Sequence, residues 1–333
     1  MQKALVSIAV AASLGLGATA AQAAILDDVK AKGFIQCGVT GGVAGFSAPD
    51  SNNVWTGLEV DFCRAMAAAI FNDADAVRFT SLTSQERFTA LSAGEVDVLS
   101  RTTTWTMSRD TQLGISFVGT MFYDGQGFMV RKEDAIDSAL DLSGAAICIE
   151  SGTTTELNAA DYFAANSMEF NTVVFVDQDE VVKAYEDGRC DVYTTDSSAL
   201  AAERSKFANP DDHIILPEII SKEPLGPVVR AGDTQWFNIA RWTYFALLEA
   251  EELGVSSANV DEQLGSDNPA IKRLLGVEGE FGAPLGLDNA WAYQIIKLVG
   301  NYAESYDRNV GPDTPIGLER GLNALWRDGG IQY

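Results

Sequence analysis

Short apolar runs alternate with segments of helical period twice along this chain, and nothing else in it limits the fold so strongly. The first series opens with FIQCGVT near residue 34. It continues through GLEVDFCRAMAAAIF, where Leu58, Phe62, Met66 and Ile70 fall on one helical face, to a short strand around VRFT. A helix follows, opened by Thr83 with Glu86 three residues on in capping-box spacing, and VDVLS closes the series as a strand. The second series reads AAICIE, TTTELNAADYFAAN with Thr153 and Glu156 in the same spacing, TVVFV, DEVVKAYEDG, CDVYTT and SSALAAERSKF. Two α/β units are therefore expected. From Asp233 the chain reads mostly helical, through IARWTYFALLEAEELG, NPAIKRLLG and LDNAWAYQIIKLVGNYAESYDRN. With 333 residues and 47% hydrophobic content, the chain can bury a large core and divide into two domains.

The N-terminus MQKALVSIAVAASLGLGATAAQAA sets Lys3 before an apolar stretch over 4–16 and ends in Ala21, Gln22 and Ala23, an A-x-A cleavage pattern. Residues 1–23 are read as a secretory signal peptide, cut before Ala24. The alternative is a membrane anchor, but the run is short for a span and no cysteine near the cleavage site offers a lipidation point. No later stretch of roughly 18 apolar residues follows, so a soluble, exported protein is expected. The formal charge of −24 excludes a nucleic-acid surface, which needs clustered Lys and Arg to neutralise phosphates. Cys37, Cys63, Cys148 and Cys190 show no C-x-x-C spacing and have His213 as the only histidine for company, so no metal site is expected. An oxidising compartment favours two disulfides over four free thiols, with three pairings open.

Four segments carry a family resemblance. GLEVDFCRAMAAAI over 57–70 resembles the signature of the periplasmic binding proteins for polar amino acids, solute-binding protein family 3. TTTWTMSRD over 102–110 resembles the same family's strand-end segment, in which hydroxyl residues precede an arginine. ESGTTTE and VYTTDSS resemble its two second-lobe segments. With the long extension LGLDNAWAYQIIKLVGNYAESYDRNVG and GLERGLNALW, the chain is most similar to the general L-amino-acid-binding branch. The resemblance implies a two-lobed periplasmic-binding-protein fold of type II. Lobe one would comprise 24–123 and 225–333, lobe two 124–224, with a hinge of two chain crossings and a helical C-terminal extension. It also implies a periplasmic monomer without a cofactor, which delivers L-amino acids to the membrane permease of an ABC transporter.

The residue types suit that ligand. A zwitterion needs a cation and directed donors for its carboxylate, and an anion with acceptors for its ammonium. Arg109 offers a planar fork to a carboxylate, and Thr102 and Thr104, two apart on an extended segment, can point the same way. The first-turn amides after Thr153, where Thr154 sits, can receive an anion. Asp196, leaving the strand CDVYTT, offers the counter-charge for an ammonium. Arg101 faces either solvent or the far side of this site, and Phe46 stands where narrower relatives sandwich the ligand side chain. Each has a structural alternative: Arg109 paired with Asp110, Thr102 and Thr104 as ordinary strand residues, Asp196 as only the N-cap of the helix at Ser197. Glu59 and Asp61 are expected to cap and charge the start of the first unit's long helix.

Enzyme readings find little support. His213 lies beside Asp212 and an apolar strand, a poor setting for a Ser-His-Asp triad, and no P-loop, HExxH or GxSxG is present. The resemblance also points to an enzyme alternative, the periplasmic cyclohexadienyl dehydratases, which look like the same fold, although Asp196 has no evident second catalytic group. Cys37 lies on the first expected strand and Cys63 on the helix beside it, while Cys148 and Cys190 lie on two strands of the second unit. The expected pairs are therefore Cys37 with Cys63 and Cys148 with Cys190.

Overall fold

The structure is a computed structural model describing residues 24–333, so the signal peptide expected over 1–23 lies outside the described residues. Two five-stranded sheets form the body. In the first, Ile35–Val39 lies between Val77–Ser81 and Val98–Leu99, parallel to both, and Val228–Arg230 runs antiparallel between Val98–Leu99 and Ile115–Phe117. The second repeats the plan. Ala146–Glu150 lies parallel between Asn171–Phe175 and Val192–Asp196, and Gln126–Arg131 runs antiparallel between Val192–Asp196 and His213–Ile215. Ile35–Val39 and Ala146–Glu150 are buried along most of their length. Parallel strands covered on both faces must be apolar throughout, which is why they read as continuous runs.

Between the sheets the chain crosses twice, and the crossings pair as a short antiparallel ribbon, Phe122–Asp124 against Glu223–Leu225, with Asp124 opposite Glu223. The fold is thus a two-lobed α/β architecture with a hinge of two crossings.

Helix Leu58–Phe71 packs against the first sheet and against helices Thr234–Glu252 and Trp291–Leu298. Crowding from several sides suits its run of Ala65, Ala67, Ala68 and Ala69, all buried. The disulfide Cys37–Cys63 staples this helix to its strand, and Cys148–Cys190 joins strand Ala146–Glu150 to the turn just before Val192–Asp196. Glu59 and Asp61 do more than charge the helix start. Asp61 accepts from Ser305 Oγ at 2.7 Å, Arg308 Nη2 at 2.6 Å and Asn309 Nδ2 at 2.6 Å, tying the helix to the C-terminal extension.

That extension also reaches the hinge. Tyr302 donates to the Met121 carbonyl at 2.7 Å. Asn323 accepts from the Tyr123 amide at 2.7 Å and donates to its carbonyl at 3.1 Å, pairing with the ribbon as a neighbouring strand would. No helix among the described residues is long and apolar enough to cross a membrane.

Candidate functional site

The segment after VDVLS does not stay extended. Its strand is only Val98–Leu99, and Thr102 then adopts a φ of +25°, a region β-branched residues rarely enter. Glu59 holds the turn: one carboxylate oxygen accepts from the Thr102 amide, the other from Ser47 Oγ at 3.1 Å. Burial pushes Glu59 up to about 7, against the opposing pull of those two bonds. The expected strand alternation of Thr102 and Thr104 therefore fails, yet both residues still line the cleft. Arg101 donates from Nε to the Leu82 carbonyl at 2.8 Å and holds Nη2 3.7 Å from Glu150 Oε1 on the facing lobe.

On the second lobe, Thr153 caps helix Thr154–Ala165 by accepting from the Glu156 amide at 3.2 Å. Glu156 returns its carboxylate to the Gly152 amide at 3.3 Å, one residue before the expected position. The first-turn amides and Thr154 thus sit at the cleft. Asp196 occupies the N-cap position of helix Ser197–Arg204 but makes no cap bond, which removes its structural alternative. Asp124 substitutes, accepting from the Ser198 amide at 3.3 Å and from its hydroxyl. The Asp196 carboxylate is left to the cleft, where Oδ1 is buried without a partner. Burial, with the nearby acids Asp124 and Glu223, holds it well above the usual carboxylate range. Burial likewise lifts Asp124 to about 6.

A cavity of about 30 Å³ lies between the lobes. Of the residues singled out by sequence, Arg101, Thr102 and Thr104 line it from the first lobe and Thr154 and Asp196 from the second. Two do not. Phe46 is 1% exposed and packs edge-to-face on Phe122 in the first-lobe core, so it is a packing residue, not a ligand-facing aromatic. Arg109 lies behind Thr104, donating from Nη1 to its carbonyl at 3.0 Å, with its guanidinium over the Phe88 ring. Glu223 and Asp196 are the acids whose charge favours its ionised form against the burial that opposes it.

Sequence reasoning missed three groups. Arg87 lines the cavity, is 2% exposed, and has a buried Nε without an acceptor. Its place beside Glu86 at a helix start reads as an ordinary surface pair. Glu150 ends a second-lobe strand, and Gln178 opens helix Gln178–Glu186. A second chamber of about 90 Å³ adjoins the first, with Arg101, Glu150 and Gln178 lining both. Nothing in their local pattern marks either as ligand-facing. Among the described residues no group of three His, Cys, Asp or Glu side chains is arranged to hold a metal ion. Chemically, the arrangement sets guanidiniums on one wall against a carboxylate and helix amides on the other.

A profile of the bacterial extracellular solute-binding proteins, family 3, matches residues 35–254. The general L-amino acid-binding periplasmic protein AapJ of Rhizobium johnstonii is 59% identical, over 100% of this chain and 98% of its own length. The glutamate/glutamine/aspartate/asparagine-binding protein BztA of Rhodobacter capsulatus is 52% identical, over 98% of this chain and 96% of its own. Among solved structures, an ABC transporter periplasmic binding protein from Brucella ovis with glutathione bound superposes with a TM-score of 0.92 at 58% identity, covering 94% of this chain and 98% of that one.

Proposed function

The chain belongs to the bacterial extracellular solute-binding proteins of family 3, and from that premise we propose that it captures L-amino acids between its lobes and delivers them to the membrane permease of an ABC transporter. The names of AapJ, BztA and the Brucella protein support the ligand class and the transporter. One observation carries the site: Asp196 on one lobe and Arg87 on the other line the same cavity, and each holds a buried polar atom without a partner, an acceptor on one and a donor on the other. An amino acid supplies the missing complements, its ammonium to Asp196 and a carboxylate to the guanidiniums. Arg101 and the first-turn amides beside Thr154 complete the anion side, and Arg109 supports Thr104 from behind.

The space between the lobes is confined to two adjoining chambers of about 30 and about 90 Å³. Ligand must therefore enter an opened form, with lobe one comprising 24–123 and 225–333 and lobe two 124–224. Because the ligand bridges both lobes, its differential affinity drives closure. The protein acts as a periplasmic monomer after cleavage before Ala24, and it binds without turnover.

A thermal-shift panel of the twenty amino acids on ligand-stripped protein tests the reading, since a ligand of the native form alone raises its melting temperature. Calorimetry on Asp196→Asn, Arg101→Ala, Arg87→Ala and Arg109→Ala then ranks the groups. Asp196→Asn is expected to weaken binding by roughly tens to thousands of fold. Binding within about twofold of wild type in all four folded variants would show the site to be misassigned. Catalytic conversion of prephenate or arogenate would replace the binding reading with the enzyme one.

A further inference from the structure

Glu223 does not line the cavity, yet it organises two residues that do. It lies on the second hinge strand and is 1% exposed. Its Oε2 accepts from Thr104 Oγ1 at 2.6 Å and from Thr154 Oγ1 at 2.9 Å. Its Oε1 accepts from Asn158 Nδ2 at 2.6 Å and from Ser221 Oγ at 2.6 Å. An ionised carboxylate offers about four acceptor sites and no donor, so this one is saturated.

Saturation has a geometric consequence. Each threonine hydroxyl carries one hydrogen, and both hydrogens are spent on the same oxygen. The two hydroxyl oxygens lie 3.3 Å apart, within hydrogen-bond distance of each other, and the shorter bonds of both run to Glu223. Their hydrogens are equally unavailable to a ligand. Thr104 follows the first sheet, whereas Thr154 and Asn158 begin a second-lobe helix. Thr104 is paired by its backbone with Glu223's own strand, so a single carboxylate on the hinge reaches from there to Thr154 and Asn158 of the second lobe and joins the ligand-facing threonines of opposite lobes.

We propose that Glu223 is a positioning residue that latches Thr104 to Thr154 across the lobe interface, so that the closed form is held partly by the protein's own groups. The consequence for ligand rests on the amino-acid reading of the cleft. Encounter takes place in the open form, where the latch is unmade, so Glu223 governs how long ligand stays and not how fast it arrives.

Glu223→Gln tests this in the full mature chain. Gln offers one acceptor oxygen and an amide donor, so it cannot accept from all four partners. Stopped-flow binding of L-glutamate should show dissociation faster by about tenfold or more, with association within about twofold of wild type. In a Thr104→Val, Thr154→Val background the same substitution should change dissociation by less than about twofold, because the groups it acts through are gone. A merely structural role would shift both rates, or act equally in both backgrounds, and either result overturns the proposal. Thr154→Val alone, which leaves Glu223 in place, should also speed dissociation, and this reads the latch if Glu223→Gln does not fold. Small-angle scattering of ligand-free protein separates the latch from the ligand reading. Glu223→Gln should be more expanded than wild type even if no amino acid binds, and an unchanged radius of gyration overturns the latch whatever the ligand proves to be.

Discussion

Asp124 caps the helix that Asp196 begins. From the first hinge strand it accepts from the amide and hydroxyl of Ser198, leaving the residue at the cap position free of that duty. The exchange costs two buried acids, both lifted above the ordinary range: Asp124 by burial and the charge of Glu223, Asp196 by burial and the charges of Asp124 and Glu223.

Ligand binding should therefore release a proton. Asp196 is held well above the usual carboxylate range, first by burial and then by Asp124 and Glu223, whereas an ammonium favours its ionised form. Affinity should rise with pH until Asp196 is ionised without ligand. Titration calorimetry of an amino acid in phosphate and in Tris at one pH should give heats that differ by the buffers' ionisation enthalpies. Asp196→Asn should abolish the difference, and identical heats for the wild type would count against the assignment.

Glu59 makes stability fall with rising pH. Its carboxyl is lifted from an ordinary 4.5 to about 7, so between those values the native state holds a proton that the unfolded chain has released. Stability from this group is complete below about 4.5 and is lost as pH rises through about 7. The effect is on the order of 3 kcal/mol. Melting curves of ligand-free protein across that window should decline, and Glu59→Gln should flatten the decline. A parallel decline in the variant would place the cause elsewhere.

Arg101 and Glu150 face each other at 3.7 Å across the cleft, so Glu150 competes with any ligand carboxylate for that guanidinium. Glu150→Gln should raise the preference for glutamate over glutamine by about tenfold, equivalent to about 1.4 kcal/mol. Competition calorimetry with the two ligands measures the ratio. A shift toward glutamine would exclude Arg101 as a partner for the ligand side chain.

The disulfides close loops of 26 and 42 residues. By the chain-entropy relation they contribute about 3.5 and about 4 kcal/mol. Replacing each pair by serine should lower unfolding stability by about those amounts in urea titrations. Non-reducing peptide mapping should find no bridge between Cys37 or Cys63 and Cys148 or Cys190.

What the sequence made legible followed local rules. The α/β alternation is set by strands buried on both faces, and Thr83 with Glu86 makes the reciprocal bonds their spacing predicts, at 3.2 and 3.3 Å. Thr153 caps its helix for the same reason. What stayed hidden depends on groups far apart in the chain. Asp61 meets Arg308, Thr104 meets Glu223, and Arg101 meets Glu150 only after the fold has formed. Phe46 shows the converse error: in a glycine-rich loop it resembles a ligand-stacking ring, but its neighbour Phe122 comes from the hinge strand and covers it. Arg87 went unnoticed because an arginine beside a glutamate at a helix start carries no local mark of burial.

Asn323 pairs with both backbone groups of Tyr123, and Tyr302 and Gln332 hold the carbonyl of Met121. The first crossing is therefore clamped up to Tyr123 by residues at the far end of the chain. Opening should therefore twist the chain beyond that clamp, where Asp124 and Glu223 bond Ser198 and Asn158 of the second lobe while Glu223 also holds Thr104 of the first. The first lobe with its extension serves as the fixed jaw of a vise and the second as the moving one. The ribbon between the jaws pairs Asp124 with Glu223, the same two carboxylates that arrange the floor of the cleft.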